Sequence, residues 1–137
     1  DTKGDCGQVG LLMITMSRCA GGPARGQSGL MLHPNDCNLH DWCELYFEGI
    51  GWIPCDPSFG RPSEALKVTG IGDKFFNSGI DSYRMIANLD YSRDFSPKRK
   101  FGRCDMVDSQ TGEAETQRGM LYVGVDFSYS FKVLEYK

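Results

Sequence analysis

The sequence has no surplus of positive charge and no long apolar run. Its 137 residues include 15 Lys and Arg against 18 Asp and Glu, for a net charge of −3 at pH 7. Nucleic-acid-binding proteins concentrate Lys and Arg to meet phosphates, so this composition gives no reason to expect a nucleic-acid partner. No segment has the roughly 20 consecutive apolar residues of a membrane-spanning helix, so we expect no membrane span.

The chain also lacks a leader-type segment, because it opens on the polar stretch DTKGD. A secretory leader would begin with a basic segment followed by an apolar one. The same opening would result from removal of a leader or from trimming of a longer chain. The compartment therefore stays open between the cell envelope, secretion and the cytoplasm, and the oligomeric state is equally open.

Cysteine is plentiful, but its distribution is not that of a disulfide framework. The six cysteines are Cys6, Cys19, Cys37, Cys43, Cys55 and Cys104. Disulfide frameworks are typical of short, loop-rich secreted domains with little apolar core. Here three of the cysteines fall inside strongly periodic segments, where a thiol behaves as a small buried apolar group. We expect a reduced globular domain.

The first half of the chain predicts one helix followed by strands. Residues 5–20 have apolar residues at helical spacing, with Asp5 as a candidate N-cap. Residues 27–32 have the composition of a short strand. Residues 39–47 and 52–56 are apolar and aromatic runs separated by a Gly-containing turn, a pattern that predicts a β-hairpin.

The second half of the chain predicts only strands. Residues 83–89 alternate between apolar and polar, and residues 121–133 keep the same period of two, which predicts a long terminal strand. No linker or internal repeat divides the chain. We therefore expect one α+β domain over residues 1–137, with a core at 4–60 and a β-rich part at 61–137.

Three residues in the core carry the chemistry of a nucleophilic site. Cys6 lies in the first turn of the predicted helix, where free N–H groups and the helix dipole stabilise a thiolate. His40 can serve as the general base for that thiol. Asp56 can accept the second imidazole N–H and thereby hold the ring in one tautomer.

The hairpin geometry predicts that two of these residues meet. His40 and Trp42 share one face of the first strand, because side chains alternate between faces. A turn at residues 48–51 brings the chain near Asp56 back beside His40. The two polar side chains are then cross-strand neighbours on one face.

Other interpretations of the same residues remain open. Taken singly, Cys6, His40 and Asp56 could each be structural. The spacing Cys37-x-x-His40-x-x-Cys43 is superficially that of a zinc site. In a strand, however, His40 and Cys43 point to opposite faces and cannot share one ion, so we expect no metal site.

Three blocks of sequence resemble the transglutaminase-like core, a branch of the papain-like fold. They are GDCGQVGLLMITMSRCAGGPARGQSG, LHDWCELYF and GWIPCDPSFG, at residues 4–29, 39–47 and 51–60. Their order is that of the family: a Cys at a helix start, then His-x-Trp-x-Glu, then Trp-x-Pro-x-Asp. The resemblance implies a nucleophile helix packed on an antiparallel sheet, with Cys6, His40 and Asp56 as nucleophile, base and orienting group.

The resemblance also implies an activity. It is cysteine-dependent acyl transfer through a thioester on Cys6. Hydrolysis of a peptide or amide bond, as in bacterial members of the family, is the favoured reaction. Transfer of the acyl group to an amine (transamidation) is the variant. The substrate is then a peptide or protein, and no cofactor is needed. The alternative is an impaired binding or structural module. It is suggested by the short stretch before Cys6, which has only five residues. Papain-like enzymes usually take a second oxyanion donor from upstream of the nucleophile. Unless that donor comes from elsewhere, the chain would be a fragment of a longer enzyme.

Overall fold

The computed structural model describes residues 4–34, 36–60, 73–91, 93–94, 96–102 and 114–134. In chain order its elements are α1 (Cys6–Cys19), β1 (Ala24–His33), β2 (Asp36–Phe47), β3 (Gly51–Cys55), the 3-10 helix η1 (Asp73–Asn77), β4 (Arg84–Asn88), β5 (Ala114–Glu115) and β6 (Met120–Leu121). No helix among these residues is long and apolar enough to cross a membrane.

Four of the strands form one antiparallel sheet in the order β3-β2-β1-β4. Helix α1 packs against β1 and β2, the two central strands. Strands β5 and β6 form a separate two-stranded ladder. This is the α+β layout that the sequence predicts, with one helix on an antiparallel sheet.

Helix α1 begins where its capping residues predict. The Asp5 carboxylate accepts a hydrogen bond from Gln8 N at 2.8 Å, and the Gln8 side chain accepts one from Asp5 N at 3.3 Å. This reciprocal capping box satisfies two backbone donors of the first turn. The helix ends before Gly21, whose φ of +86° is readily adopted only by glycine. Cys6 is therefore the first residue of α1, as expected.

The two faces of the sheet bury different groups. The helix face carries Ala24, Cys43 and Cys55, which cluster with Ile14 of α1. The opposite face is covered by aromatic rings, and we call it the aromatic face. Its cluster consists of Met31, Phe59 and Phe76. Because side chains alternate along β2, residues 40 and 42 belong to the aromatic face and residues 41 and 43 to the helix face.

The prediction of a long terminal strand at 121–133 is wrong. Only Met120–Leu121 is paired as a strand, and Val123 makes an isolated bridge to Phe127. The chain turns in between, where the Tyr122 carbonyl accepts from Val125 N and Asp126 N. Alternation predicts a strand only where a neighbouring strand supplies hydrogen bonds, and here the chain folds back on itself instead.

Candidate functional site

The predicted contact between His40 and Asp56 is present on the aromatic face. Strands β2 and β3 pair with Cys43 opposite Cys55, which places the following residue, Asp56, beside the His40 side of β2. His40 Nε2 and Asp56 Oδ2 are 2.7 Å apart. The Asp56 side chain is fully buried, and that of His40 is 9% exposed. The two polar groups of the hairpin are thus hydrogen bonded to each other.

A turn that Asp56 itself stabilises holds its carboxylate in place. Asp56 Oδ1 accepts hydrogen bonds from Ser58 N at 3.0 Å and Phe59 N at 3.3 Å, the pattern of an Asx turn. The Asp56 backbone N–H donates to the carbonyl of Phe76 in η1 at 2.8 Å. One oxygen of the carboxylate and the Asp56 backbone N–H are therefore fixed by the turn and by η1, independently of His40.

Arg84 of β4 is a third member of this group, and sequence reasoning missed it. Its Nη1 donates to Asp56 Oδ2 at 2.9 Å and its Nη2 to Asp81 Oδ2 at 3.0 Å. Only 3% of the Arg84 side chain is exposed. Its guanidinium lies within 6 Å of the ring centres of Trp42, Phe59 and Phe76. An Arg in an alternating strand usually faces water, so nothing in the local pattern indicated a buried ion pair.

These contacts decide the charge of Asp56. Burial of the Asp56 carboxyl would raise its pKa. The hydrogen bond and the charge of His40 oppose that effect most strongly, and the charge of Arg84 and the N–H of Phe59 also lower the pKa. The net result is a pKa below the usual range for Asp. Asp56 is therefore an ionised acceptor, and the His40 Nε2–H donates to it.

The structure joins Cys6 to a different residue of β2. The Cys6 thiol donates to Asp41 Oδ2 at 3.5 Å. Asp41 is fully buried and follows His40 directly, so it lies on the helix face while His40 lies on the aromatic face. The structure thus brings His40 to Asp56 and Cys6 to Asp41. The Cys6–Asp41 contact forms because α1 packs on the face that Asp41 shares with Cys43.

The zinc-like spacing does not assemble in the structure. The thiol of Cys37 donates to the carbonyl of His33 at 3.5 Å, and that of Cys43 donates to the carbonyl of Cys55 at 3.4 Å on the helix face. His40 is engaged on the aromatic face. Within the part of the chain that the structure describes, no group of three His, Cys, Asp or Glu side chains could hold a metal ion.

Residues 1–57 match the family model of the transglutaminase-like superfamily. This segment contains Cys6, His40 and Asp56. Over these residues the match confirms the family resemblance seen in the three sequence blocks. At the level of the family, the match indicates cysteine-dependent acyl transfer or hydrolysis. Arg84 lies beyond the matched segment. No curated protein and no solved structure matches the chain significantly.

Replacing Arg84 with Met should destabilise the fold strongly. The substitution leaves a buried carboxylate with one partner fewer, which typically costs about 3–5 kcal/mol. Arg93→Met is the matched control, because the Arg93 side chain is 76% exposed in its ion pair with Asp90. Such exposed pairs contribute about 0.2–1 kcal/mol. Urea unfolding of both variants measures the difference, and equal losses would contradict a buried, stabilising role for Arg84.

Acid should destabilise the protein partly through Asp56. Because its pKa is lowered on folding, the carboxylate stabilises the fold above the ordinary Asp pKa of about 3.9. That contribution is lost as the pH falls through the lowered value. The unfolding free energy of Asp56→Asn should therefore depend less on pH below about pH 4. Asp94→Asn, at a carboxylate 60% exposed, should keep the wild-type dependence. Identical acid profiles for wild type and Asp56→Asn would show that the account of Asp56 is wrong.

Proposed function

We propose that this protein is a cysteine-dependent acyl-transfer enzyme that acts on a carboxamide or peptide bond. Cys6 is the nucleophile, His40 the general base and Asp56 the group that orients His40. The observation that carries the proposal is the 2.7 Å hydrogen bond between His40 and Asp56, inside the segment that matches the transglutaminase-like family. Hydrolysis of a peptide or protein substrate is the favoured reaction, and transfer to an amine is its variant.

The orientation of the imidazole supports the role of His40 as a base. Its Nε2–H is donated to Asp56, so Nδ1 is the nitrogen that accepts a proton from a thiol. When His40 becomes positively charged, the Asp56 carboxylate stabilises it. Arg84 adds to the effect of His40 in keeping the pKa of Asp56 low, because its positive charge also balances the carboxylate in a buried site.

The position of Cys6 supports its role as a nucleophile. It is the first residue of α1, where backbone N–H groups without helical partners and the helix dipole favour a thiolate. To react, the thiol exchanges its hydrogen bond to Asp41 for one to the imidazole of His40. The thiol proton then passes to His40 Nδ1.

The reaction has two halves in this proposal. The Cys6 thiolate attacks the substrate carbonyl carbon, and the His40 imidazolium returns its proton to the departing amine as the C–N bond breaks. The backbone N–H of Cys6 supplies one donor for the oxyanion. Water, or an amine in the variant, then attacks the thioester with His40 again as base, and the thiol is released.

A second candidate function is a binding or structural module built on the same core. The hydrogen bond from the Cys6 thiol to Asp41 favours it. A buried carboxylate beside the sulfur opposes the formation of a second negative charge there. In that case the cluster of His40, Asp56 and Arg84 only stabilises the sheet, and Cys6 does no chemistry.

Selective alkylation separates the two candidates. If Cys6 exchanges a proton with His40, iodoacetamide at mildly acidic pH should modify Cys6 well before Cys19, an exposed cysteine at the other end of α1. His40→Ala should slow the labelling of Cys6 and leave that of Cys19 unchanged. Peptide mass mapping after timed quenching measures both rates. Equal rates at Cys6 and Cys19, both insensitive to His40→Ala, would favour the module.

Turnover gives the second readout of the same test. Release of ammonia or amine from a panel of glutamine-containing peptides should disappear in Cys6→Ala and fall by about 10²–10⁴ in His40→Ala. Asp56→Asn, assayed under conditions in which circular dichroism shows it folded, should have lower turnover, and Cys19→Ala should match the wild type. Undiminished turnover in folded Cys6→Ala would refute the proposal.

A further inference from the structure

Two buried cysteines face each other across β2 and β3. Cys43 and Cys55 are direct partners in the antiparallel register. Both lie on the helix face, with exposures of 0% and 1%, and both belong to the cluster beneath α1. The described cysteines are thiols rather than disulfides.

The spacing of this pair is compatible with a disulfide. Directly opposed residues of antiparallel strands have Cα atoms roughly 4.5–5.5 Å apart, inside the disulfide range of about 4.4–6.8 Å. Their side chains point to the same face of the sheet. The Cys43 thiol already lies 3.4 Å from the carbonyl oxygen of Cys55. Opposed strand residues have Cβ atoms about 4.5–5.5 Å apart, so the two strands must draw slightly closer to reach the disulfide range of about 3.5–4.5 Å.

The two thiols also differ in reactivity. A hydrogen bond between the side chains raises the pKa of Cys43 far above its ordinary value, with burial as the next cause. The same hydrogen bond lowers the pKa of Cys55, against the opposing effect of burial. Cys55 is also the last residue of the outer strand β3, so it is the thiol that a small disulfide reaches first.

We propose that Cys43 and Cys55 form an intrachain disulfide by exchange with a small-molecule disulfide of the glutathione class. The Cys55 thiolate attacks one sulfur of that disulfide, breaks its S–S bond and expels one thiolate, which takes up a proton. Cys43 then loses its proton and attacks Cys55 Sγ, which expels the second small thiol. Two protein thiols and one small disulfide become one protein disulfide and two small thiols, so atoms and electrons balance.

The sheet topology provides access to the buried pair. Strand β3 has five residues and is the outer strand of the four-stranded sheet. Cys55 is its last residue. Local opening of this outer strand is the route by which a small disulfide reaches Cys55.

The disulfide would control the neighbouring polar cluster. Asp56 follows Cys55 directly, and opening of β3 separates Asp56 from His40. A bond between Cys43 and Cys55 fixes the register of β2 and β3 one residue away from that contact. The disulfide would therefore join the two strands beside the His40–Asp56 contact, and its formation does not depend on the proposed acyl transfer.

Redox titration of the full chain tests the proposal. Native protein is equilibrated at increasing ratios of oxidised to reduced glutathione, quenched with acid, alkylated and mapped by mass spectrometry. We expect a peptide linked through Cys43 and Cys55, with the loss of two alkylation sites. In Cys43→Ala the second step is blocked, so Cys55 should instead carry one glutathione. Cys19→Ala is the control and should form the same linked peptide as the wild type.

Three outcomes would overturn the proposal. In the first, Cys43 and Cys55 are still fully alkylated, and therefore still thiols, at a ratio of oxidised to reduced glutathione at which exposed Cys19 already carries glutathione. Another is a disulfide that joins either residue to a different cysteine. The third is folded Cys43→Ala, verified by circular dichroism, in which Cys55 takes up no glutathione. If that variant does not fold, the wild-type peptide map decides alone.

Discussion

The buried carboxylate of Asp56 is the group on which the rest of the structure depends. A carboxylate without water costs several kcal/mol unless partners compensate its charge and lone pairs. Here Arg84 and His40 bind one oxygen, and two backbone N–H groups bind the other. These partners come from β2, β4 and the turn after β3, so the charge of one side chain fixes how three parts of the chain meet.

Two consecutive residues of β2 connect this cluster to α1. His40 points to the aromatic face and meets Asp56, while Asp41 points to the helix face and accepts the Cys6 thiol. The strand therefore carries the residue that contacts Asp56 and the residue that contacts Cys6 on opposite faces. The proposed acyl transfer requires the Cys6 thiol to exchange its hydrogen bond to Asp41 for one to His40. Whether this exchange occurs distinguishes an enzyme from a binding module with the same fold.

Local rules predicted the parts of the structure that depend on neighbouring residues. Asp5 marked the start of α1, and the turn between β2 and β3 placed Asp56 beside His40. The contacts that the sequence did not predict join residues that are distant in sequence. Arg84 reaches Asp56 only because β4 joins the sheet beside β1, and Asp41 meets Cys6 only because α1 packs on that face. The terminal alternation at 121–133 failed for a related reason, since among the described residues only Leu121 of this stretch is paired with another strand, β5.

Nitrogen NMR of the His40 imidazole is the most direct measurement of the central claim. The contact with Asp56 predicts a protonated Nε2 whose hydrogen is shielded from exchange, and a neutral ring in the Nε2–H tautomer at alkaline pH. Loss of that protected proton in Asp56→Asn would assign it to this contact. A neutral His40 protonated at Nδ1, with Nε2 bare in the wild type, would contradict the account.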